Sequence, residues 1–364
     1  STARLRNPKG GVLLPRVRDG LVRNGLEVDP RVPKNLKKPK AGEDPTLWVG
    51  AELPTEKKGS GGSRELTVVQ TEQQALLNWR TFNVGKKTTL TFDQSKGGSD
   101  KSKWVAFNKV NDPKGRPSQI LGKLNADGQV YILNQNGIIF GGSSQVNTYA
   151  LTAAALPINP TLIARGLLNN TDAQFLFSAF ITDSFEITAA SKVLSQALDD
   201  RSTPKLTFTH DQQGEQTLVA GDDYSLTKDR TGRTVITMTE AGNQKLESAK
   251  VGTLITAEYL ALSGDVVVER GAQIASPTTP AKVGGRVMLA GANVRNSGTI
   301  STPDGQTVLA AGLQIGVLPH AGSDPSLRGL DVVVGAVDDP DASRRIRAGT
   351  AINDGIIEIE RANA

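Results

Sequence analysis

The stretch that decides the fold class is Asn134-Gln135-Asn136-Gly137-Ile138-Ile139, a group of turn residues followed by an apolar pair. Two later stretches have the same form, Asn296-Ser297-Gly298-Thr299-Ile300 and Asn353-Asp354-Gly355-Ile356-Ile357. Asparagine and glycine tolerate left-handed backbone, which a sharp corner between two strands requires. We therefore predict one turn type that recurs between short strands over much of the chain.

Short apolar segments recur at near-regular spacing in the C-terminal third. They begin at Val266, Val287, Val308, Val332 and Ile356, so the steps are 21, 21, 24 and 24 residues. Such a period indicates a stacked array, and its length suits one coil of a parallel β-helix. The LxxLxL-N pattern of a leucine-rich repeat is missing. A sandwich of hairpins, which would show turn signals about every 8–12 residues, stays as the alternative architecture.

The composition is typical of an all-β protein. The 364 residues include 38 Gly and 18 Pro, which implies many turns, and aromatic residues make up only 4%. The absence of Cys excludes disulfides and thiolate metal sites. No apolar run approaches the roughly 18–20 residues of a membrane span. The sequence opens at Ser1-Thr2-Ala3-Arg4 without a visible signal peptide, as expected if a leader has been removed or was never included.

Charge and proline content divide the chain into three predicted regions. Residues 1–40 hold 11 Lys/Arg and 3 Asp/Glu, and six prolines lie between positions 8 and 45, so we expect residues 1–45 to form a basic, flexible extension. Its run at residues 34–40 could touch anionic surfaces, although a solvated linker is the favoured interpretation. We expect residues 46–364 to form the β-helical domain, which carries no basic face for nucleic acid.

The repeat is interrupted from about residue 158 to residue 250. Short strands and polar loops fill this region, together with expected helical turns at residues 160–165, 171–177 and 191–198. The predicted fold is therefore an all-β, right-handed parallel β-helix with an extra-helical insertion of hairpins and short helices.

Several stretches occur in an order that resembles a known family. They are residues 78–85 (NWRTFNVG), 118–122 (SQILG), 128–133 (GQVYIL), 134–141 (NQNGIIFG), 296–300 (NSGTI) and 305–312 (GQTVLAAG). Together, over about residues 64–320, they resemble the N-terminal domain of the filamentous haemagglutinin family, the targeting module of two-partner secretion. Gln135 stands where the family motif often has Pro, and the Asn-Pro-Asn-Leu motif of some members is absent.

The resemblance implies a secretion-targeting domain of a large exported adhesin or haemagglutinin. Such domains are recognised in the periplasm by a dedicated outer-membrane β-barrel transporter, fold at the cell surface and nucleate a β-helical stalk. A host cell surface or glycan is a further expected partner, and no cofactor or metal is implied. The residues that we assign to transporter recognition and the secretion motif are Asn78, Trp79, Phe82, Asn83, Asn134, Asn136, Gly137 and Ile138. We expect Trp79 and Phe82 to be core or cap residues, and we predict that Asn136→Ala or Gly137→Val reduces secretion.

The alternative function is a surface glycan-binding or polysaccharide-degrading β-helix. Glycoside hydrolysis needs two facing carboxylates, but the aspartate pairs at 199–200, 222–223 and 338–341 lie among residues typical of turns. Residues 345–347 are similar to a basic motif of pectin-degrading β-helices, whose histidine partner motif is absent. His210 and His320 have no zinc-site spacing. We therefore predict that the protein is not an enzyme.

Overall fold

A computed structural model of the protein describes residues 6, 11, 13–159, 175–186, 192–196, 198, 202–228, 234–247, 249, 253–280, 284–319, 329–335 and 348–360. The strands up to residue 196 are β1 (Leu26–Val28), β2 (Trp48–Val49), β3 (Thr55–Lys58), β4 (Arg64–Val69), β5 (Gln74–Phe82), β6 (Thr88–Asp93), β7 (Val105–Val110), β8 (Ser118–Ile120), β9 (Lys123–Leu133), β10 (Ile138–Phe140), β11 (Gln145–Ala154), β12 (Phe177–Ser178), β13 (Phe180–Glu186) and β14 (Lys192–Gln196).

The later strands are β15 (Lys205–His210), β16 (Gly214–Leu218), β17 (Tyr224–Lys228), β18 (Thr234–Met238), β19 (Leu254–Leu260), β20 (Val266–Val268), β21 (Gln273–Ala275), β22 (Arg286–Gly291), β23 (Asn293–Asn296), β24 (Thr299–Ser301), β25 (Gln306–Ala311), β26 (Gln314–Pro319), β27 (Leu330–Gly335), β28 (Thr350–Asn353) and β29 (Ile356–Glu358). The helix α1 is Glu240–Glu247, and 3-10 segments cover Pro45–Leu47, Ser60–Gly62 and Ser95–Lys103.

Three faces of parallel strands wind around one core, so the chain is a parallel β-helix, as predicted. The first face stacks β4, β6, the start of β9, the start of β11, β21, β24 and β29. The second stacks β5, β7, the end of β9, the end of β11, β22 and β25. The third stacks β8, β10, β20, β23 and β28. The chain passes over the three faces in turn, and one passage over all three faces makes one coil.

Apolar residues of successive coils stack in columns inside the helix. On the first face, one register column runs Leu66, Leu90, Leu124, Val146, Ile274, Ile300 and Ile357. All but Ile357 are buried. Burial of each such side chain contributes about 1.5–3 kcal/mol. In strands such as β6, apolar residues that point inward alternate with polar residues that point outward, and this alternation determines which side of the strand faces the core.

The five apolar segments that suggested the coil period do not occupy equivalent positions, so that part of the prediction is wrong. Val266 lies on the third face, Val287 and Val308 on the second, and Ile356 on the first. Val332 lies in β27, which pairs antiparallel with β26 outside the three faces. The true coils differ in length because the corners between faces carry loops and excursions of different size.

Two excursions leave the stack after strands of the second face. The first lies between β11 and β20 and contains the antiparallel sheets β13-β19-β15-β16 and β14-β18-β17 with their own core. The second, between β25 and β28, contributes β26 and β27, and β26 pairs with β12 of the first. The second excursion was not predicted. It packs with Phe177 on the outer side of the second face, where Tyr131, Met288 and Val308 are also buried.

The predicted limits of the insertion, about 158–250, stay a prediction. Residues 160–174, where helical turns were expected, lie outside the described residues. Residues 192–196 form strand β14 rather than a helical turn, because they pair with β18. The helix α1 follows β18 instead.

The N-terminal segment is packed against the first coil. Strands β1 and β2 pair antiparallel with β5, and β3 pairs antiparallel with β4. Leu14, Leu26 and Val32 are buried. The expectation of a flexible extension over residues 1–45 is therefore wrong for residues 14–45, because spaced apolar residues bury themselves there and cover the backbone edge of the first coil. The division of the chain into domains otherwise stays a prediction.

The opposite end of the stack is open in the part of the chain that the structure describes. Strand β28 pairs with β23 alone and β29 with β24 alone. Ile352 and Ile356 are 40% and 55% exposed. Among the described residues, one end of the β-helix is thus closed by antiparallel strands, whereas β28 and β29 at the other end each pair on one side only.

Candidate functional site

The corner between β9 and β10 is held by the side chain of Asn134. Its Nδ2 donates to Arg116 O at 3.2 Å and to Ser118 Oγ at 2.9 Å. Its Oδ1 accepts from the backbone N–H of Asn136 at 3.0 Å. The side chain is buried. Asn134 therefore fixes the corner of its own coil and ties it to the preceding coil.

Gly137 is the residue of this corner whose backbone requires glycine. Its φ is +117°, and an added Cβ would lie 3.1 Å from Asp265 O and 3.3 Å from Pro117 Cβ. Its carbonyl accepts from Ser118 N, and the next residue, Ile138, donates to Asp265 O. The corner is thus hydrogen-bonded to the coils on both sides.

Asn136 differs from Asn134 in both exposure and contacts. Its side chain is half-buried, and among the described residues it makes no hydrogen bond. Of the eight predicted site residues, it is the one that a partner of the folded domain can reach most easily.

The three Asn–Gly stretches do not form one turn type, so that prediction is wrong. Asn134–Gly137 precedes a strand of the third face, whereas Asn296–Gly298 and Asn353–Gly355 follow such strands and precede the first face. Gly298 has no left-handed backbone. It is required because an added Cβ would lie 2.6 Å from Ala272 O of the neighbouring coil. Asn296 donates to Asn353 Oδ1 at 2.8 Å, which links the last two of these corners.

Trp79 and Phe82 lie in the core at the closed end, as expected. The ring centroids of Trp48 and Trp79 are 5.0 Å apart, and those of Trp79 and Phe82 are 5.4 Å apart, both pairs edge to face. Trp79 Nε1 donates to Asn108 Oδ1 at 2.9 Å. Asn108 Nδ2 donates to Tyr131 O at 3.1 Å. This chain of contacts joins the cap to the first three coils.

Asn78 and Asn83 hold the cap and the second coil through their amide groups. Asn78 Nδ2 donates to Leu47 O at 2.9 Å, and Asn83 Oδ1 accepts from Gln119 N at 2.8 Å. Both side chains are buried. Their hydrogen bonds give both asparagines of the NWRTFNVG stretch a structural role.

The two groups of predicted site residues meet at β8. Asn83 binds Gln119, Asn134 binds Ser118, and these neighbours lie in one short strand. This strand belongs to the SQILG stretch, for which no role was predicted. The buried pair in which Gln94 Nε2 donates to Gln70 Oε1 at 2.9 Å was not predicted either, because single glutamines carry no pattern that marks an interior ladder.

Among the described residues, the carboxylates do not converge on a catalytic or metal site. Asp223 is buried and bound by Val219 N and Lys245 Nζ, at 2.7 and 2.6 Å, which is a turn-stabilising arrangement. No group of three His, Cys, Asp or Glu side chains there could hold a metal ion. The pairs at 199–200 and 338–341, residues 345–347 and His320 lie outside the described residues. No helix among the residues with assigned structure is long and apolar enough to cross a membrane.

Three comparisons with known proteins bear on these motifs. Residues 49–166 match the family model described as the TPS secretion domain, where TPS stands for two-partner secretion. Two heme/hemopexin-binding proteins of Haemophilus influenzae, one from strain Rd, are 35% and 34% identical over 89 residues. That match covers 24% of this chain and 9% of each relative. The crystal structure of the HMW1 secretion domain from Haemophilus influenzae aligns with a TM-score of 0.39 and 17% identity, over 86% of this chain and 54% of that one.

The match to the TPS secretion domain confirms the resemblance that the motifs indicated. It covers strands β3 to β11, which include β8 and the Asn134–Gly137 corner. A TPS secretion domain implies export out of the cell and a cognate outer-membrane transporter as the second member of the pair. It points to a non-enzymatic role and does not favour the polysaccharide-degrading alternative.

Proposed function

We propose that this chain, whose residues 49–166 match the model of the TPS secretion domain, targets a larger adhesin or haemagglutinin to its outer-membrane transporter and starts the folding of that protein's β-helix at the cell surface. The proposal places the mature protein on the bacterial surface or in the medium. The chain spans only 9% of the relatives that it matches, so the activity of the whole exported protein belongs to the proposal.

The observation that supports the folding role is the closed first end of the stack. Antiparallel strands pair with β4 and β5 and cover the edge of the first coil. Each coil of such an array contacts only its neighbours, so a covered first coil lets the stack grow in one direction, coil by coil along the chain.

The motif residues act in this proposal chiefly by making the first coils fold. Seven of the eight are buried, and the half-buried Asn136 is the exception. If the transporter contacts the folded corner, Asn136→Ala should lower secretion without loss of stability. If the corner acts through folding, Gly137→Val and Asn134→Ala should lower secretion in proportion to the stability that they remove.

The test of targeting is export of the chain behind a signal peptide, with and without the outer-membrane transporter encoded beside its gene. We expect the chain in the medium or on the surface only when the transporter is present. A transporter of an unrelated two-partner system serves as the matched control. Periplasmic retention with the cognate transporter present would overturn the proposal.

A further inference from the structure

The closed end of the β-helix presents a group of exposed lysines. We define the closed end as the loop at residues 29–47 together with β3. Its lysines are Lys34, Lys37, Lys38, Lys40, Lys57 and Lys58, all exposed.

These lysines make no ion pair with a carboxylate among the described residues, whereas several cations on the flank of the helix do. Three carboxylates near the closed end are bound by arginines, in Arg31–Asp29 at 2.8 Å, Arg64–Glu56 at 3.8 Å and Arg80–Glu27 at 3.9 Å. The carboxylates of Glu43 and Asp44 in the loop accept from backbone N–H groups. Further along, Lys101 and Lys103 pair with Asp127 and Asp100. Among the described residues, none of the six closed-end lysines lies within 4.0 Å of a carboxylate oxygen in an ion pair. Positive charge is therefore left unpaired at this end.

The lysines stand on an ordered loop rather than on a flexible tail. Val32 is buried in the main core, and Leu36 packs against it. Asn35 closes a turn by accepting from Lys37 N at 3.0 Å through its side chain and from Lys38 N at 3.0 Å through its backbone. Lys40 N donates to Glu43 Oε2 at 2.8 Å. The backbone that carries the charged groups is thus already ordered at the closed end of the β-helix, so it loses little conformational entropy when a partner binds.

The chemistry of this surface fits a broad anionic layer. Lysines are point charges without the forked geometry that selects a single phosphate or carboxylate. Unpaired basic residues near an anionic lipid surface each add to its attraction.

We propose that the closed end binds the phosphate groups of anionic membrane lipids. The rod then stands with its closed end on the membrane surface and its open end pointing away. This role is separate from recognition by a transporter, because it needs neither the Asn134–Gly137 corner nor the second member of the secretion pair.

The test is cosedimentation of the full chain with vesicles of phosphatidylcholine alone or of phosphatidylcholine with phosphatidylglycerol. We expect binding only to the second kind, weakened by added salt. The combined variant Lys34→Gln, Lys37→Gln, Lys38→Gln and Lys40→Gln should bind about tenfold more weakly or worse. Exposed substitutions of this kind leave folding intact, which circular dichroism verifies.

The matched control removes four positive charges elsewhere, through Lys101→Gln, Lys103→Gln, Lys123→Gln and Lys205→Gln. This control should keep most of the binding. Equal loss in both variants would overturn the proposal in favour of net charge alone. Absence of binding to phosphatidylglycerol vesicles would overturn the proposal. If the closed-end lysines were needed instead for capture by the transporter's periplasmic domains, their partner would be an acidic protein surface.

Discussion

At the scale of single residues, the two asparagines of the NQNG stretch have different roles. Asn134 is buried and makes three hydrogen bonds across the corner, whereas the Asn136 side chain makes none among the described residues. Both were predicted as site residues with Gly137, and the sequence pattern could not separate them. The difference arises because the Asn134 amide reaches Arg116 O and Ser118 Oγ of the preceding coil.

Asn134→Ala should lower the free energy of unfolding by about 2–3 kcal/mol, because buried backbone and hydroxyl groups lose their partners. Asn136→Ala is the matched control and should stay within about 0.5 kcal/mol of the wild type. Urea unfolding followed by circular dichroism measures both. Equal effects of the two substitutions would contradict the assignment.

Gly137→Ala should cost about 1–3 kcal/mol, because its φ of +117° disfavours any side chain and the added Cβ meets Asp265 O. Gly98→Ala provides the comparison, since Gly98 also has a positive φ of +55° but nothing within 4 Å of the added Cβ. The same urea titration applies. We expect the larger loss at Gly137, and the reverse order would argue against close packing at the corner.

At the scale of elements, the N-terminal segment shows how isolated apolar residues change the outcome. Proline and positive charge predicted a flexible extension, yet β1 and β2 both pair with β5 and Leu26 is fully buried. Composition averages over the segment, whereas packing depends on a few side chains. The first coil also has a backbone edge that must be paired or covered.

Leu26→Ala should therefore destabilise the protein by about 2–5 kcal/mol, the usual cost of truncating a buried leucine. If residues 1–45 were a flexible extension, the same substitution would have almost no effect. Leu13→Ala, at a position that is 52% exposed, serves as the control and should change stability by less than about 0.5 kcal/mol. Thermal unfolding compares the two variants.

At the scale of the whole molecule, the stack has a direction. Its first end is sealed by antiparallel strands, its middle coils are paired on both sides, and its last described strands are paired on one side. Two excursions cover the outer side of the second face and join through β12 and β26. Stability should therefore fall towards the open end.

Native-state hydrogen exchange tests this gradient. We expect amides of β9 and β11 to exchange slowest, because both strands have neighbours on each side and lie over the main core. Amides of β28 and β29 should exchange fastest among the strands of the three faces. Uniform protection along the stack would contradict an open, weakly held end.

The sequence by itself determined the fold class, because apolar alternation is a local signal that survives without knowledge of contacts, and its short motifs, taken in order, indicated the resemblance to the secretion family. The tertiary structure decided which of those residues are accessible, that the Asn134 and Asn296 corners are of different kinds, that Val332 lies outside the stack, and that residues 14–45 close one end. These outcomes depend on contacts between residues far apart in the chain, such as Asn83 with Gln119 and Leu26 with Phe82. Local periodicity carries no information about such pairs, since burial and hydrogen bonding are settled only when the coils stack.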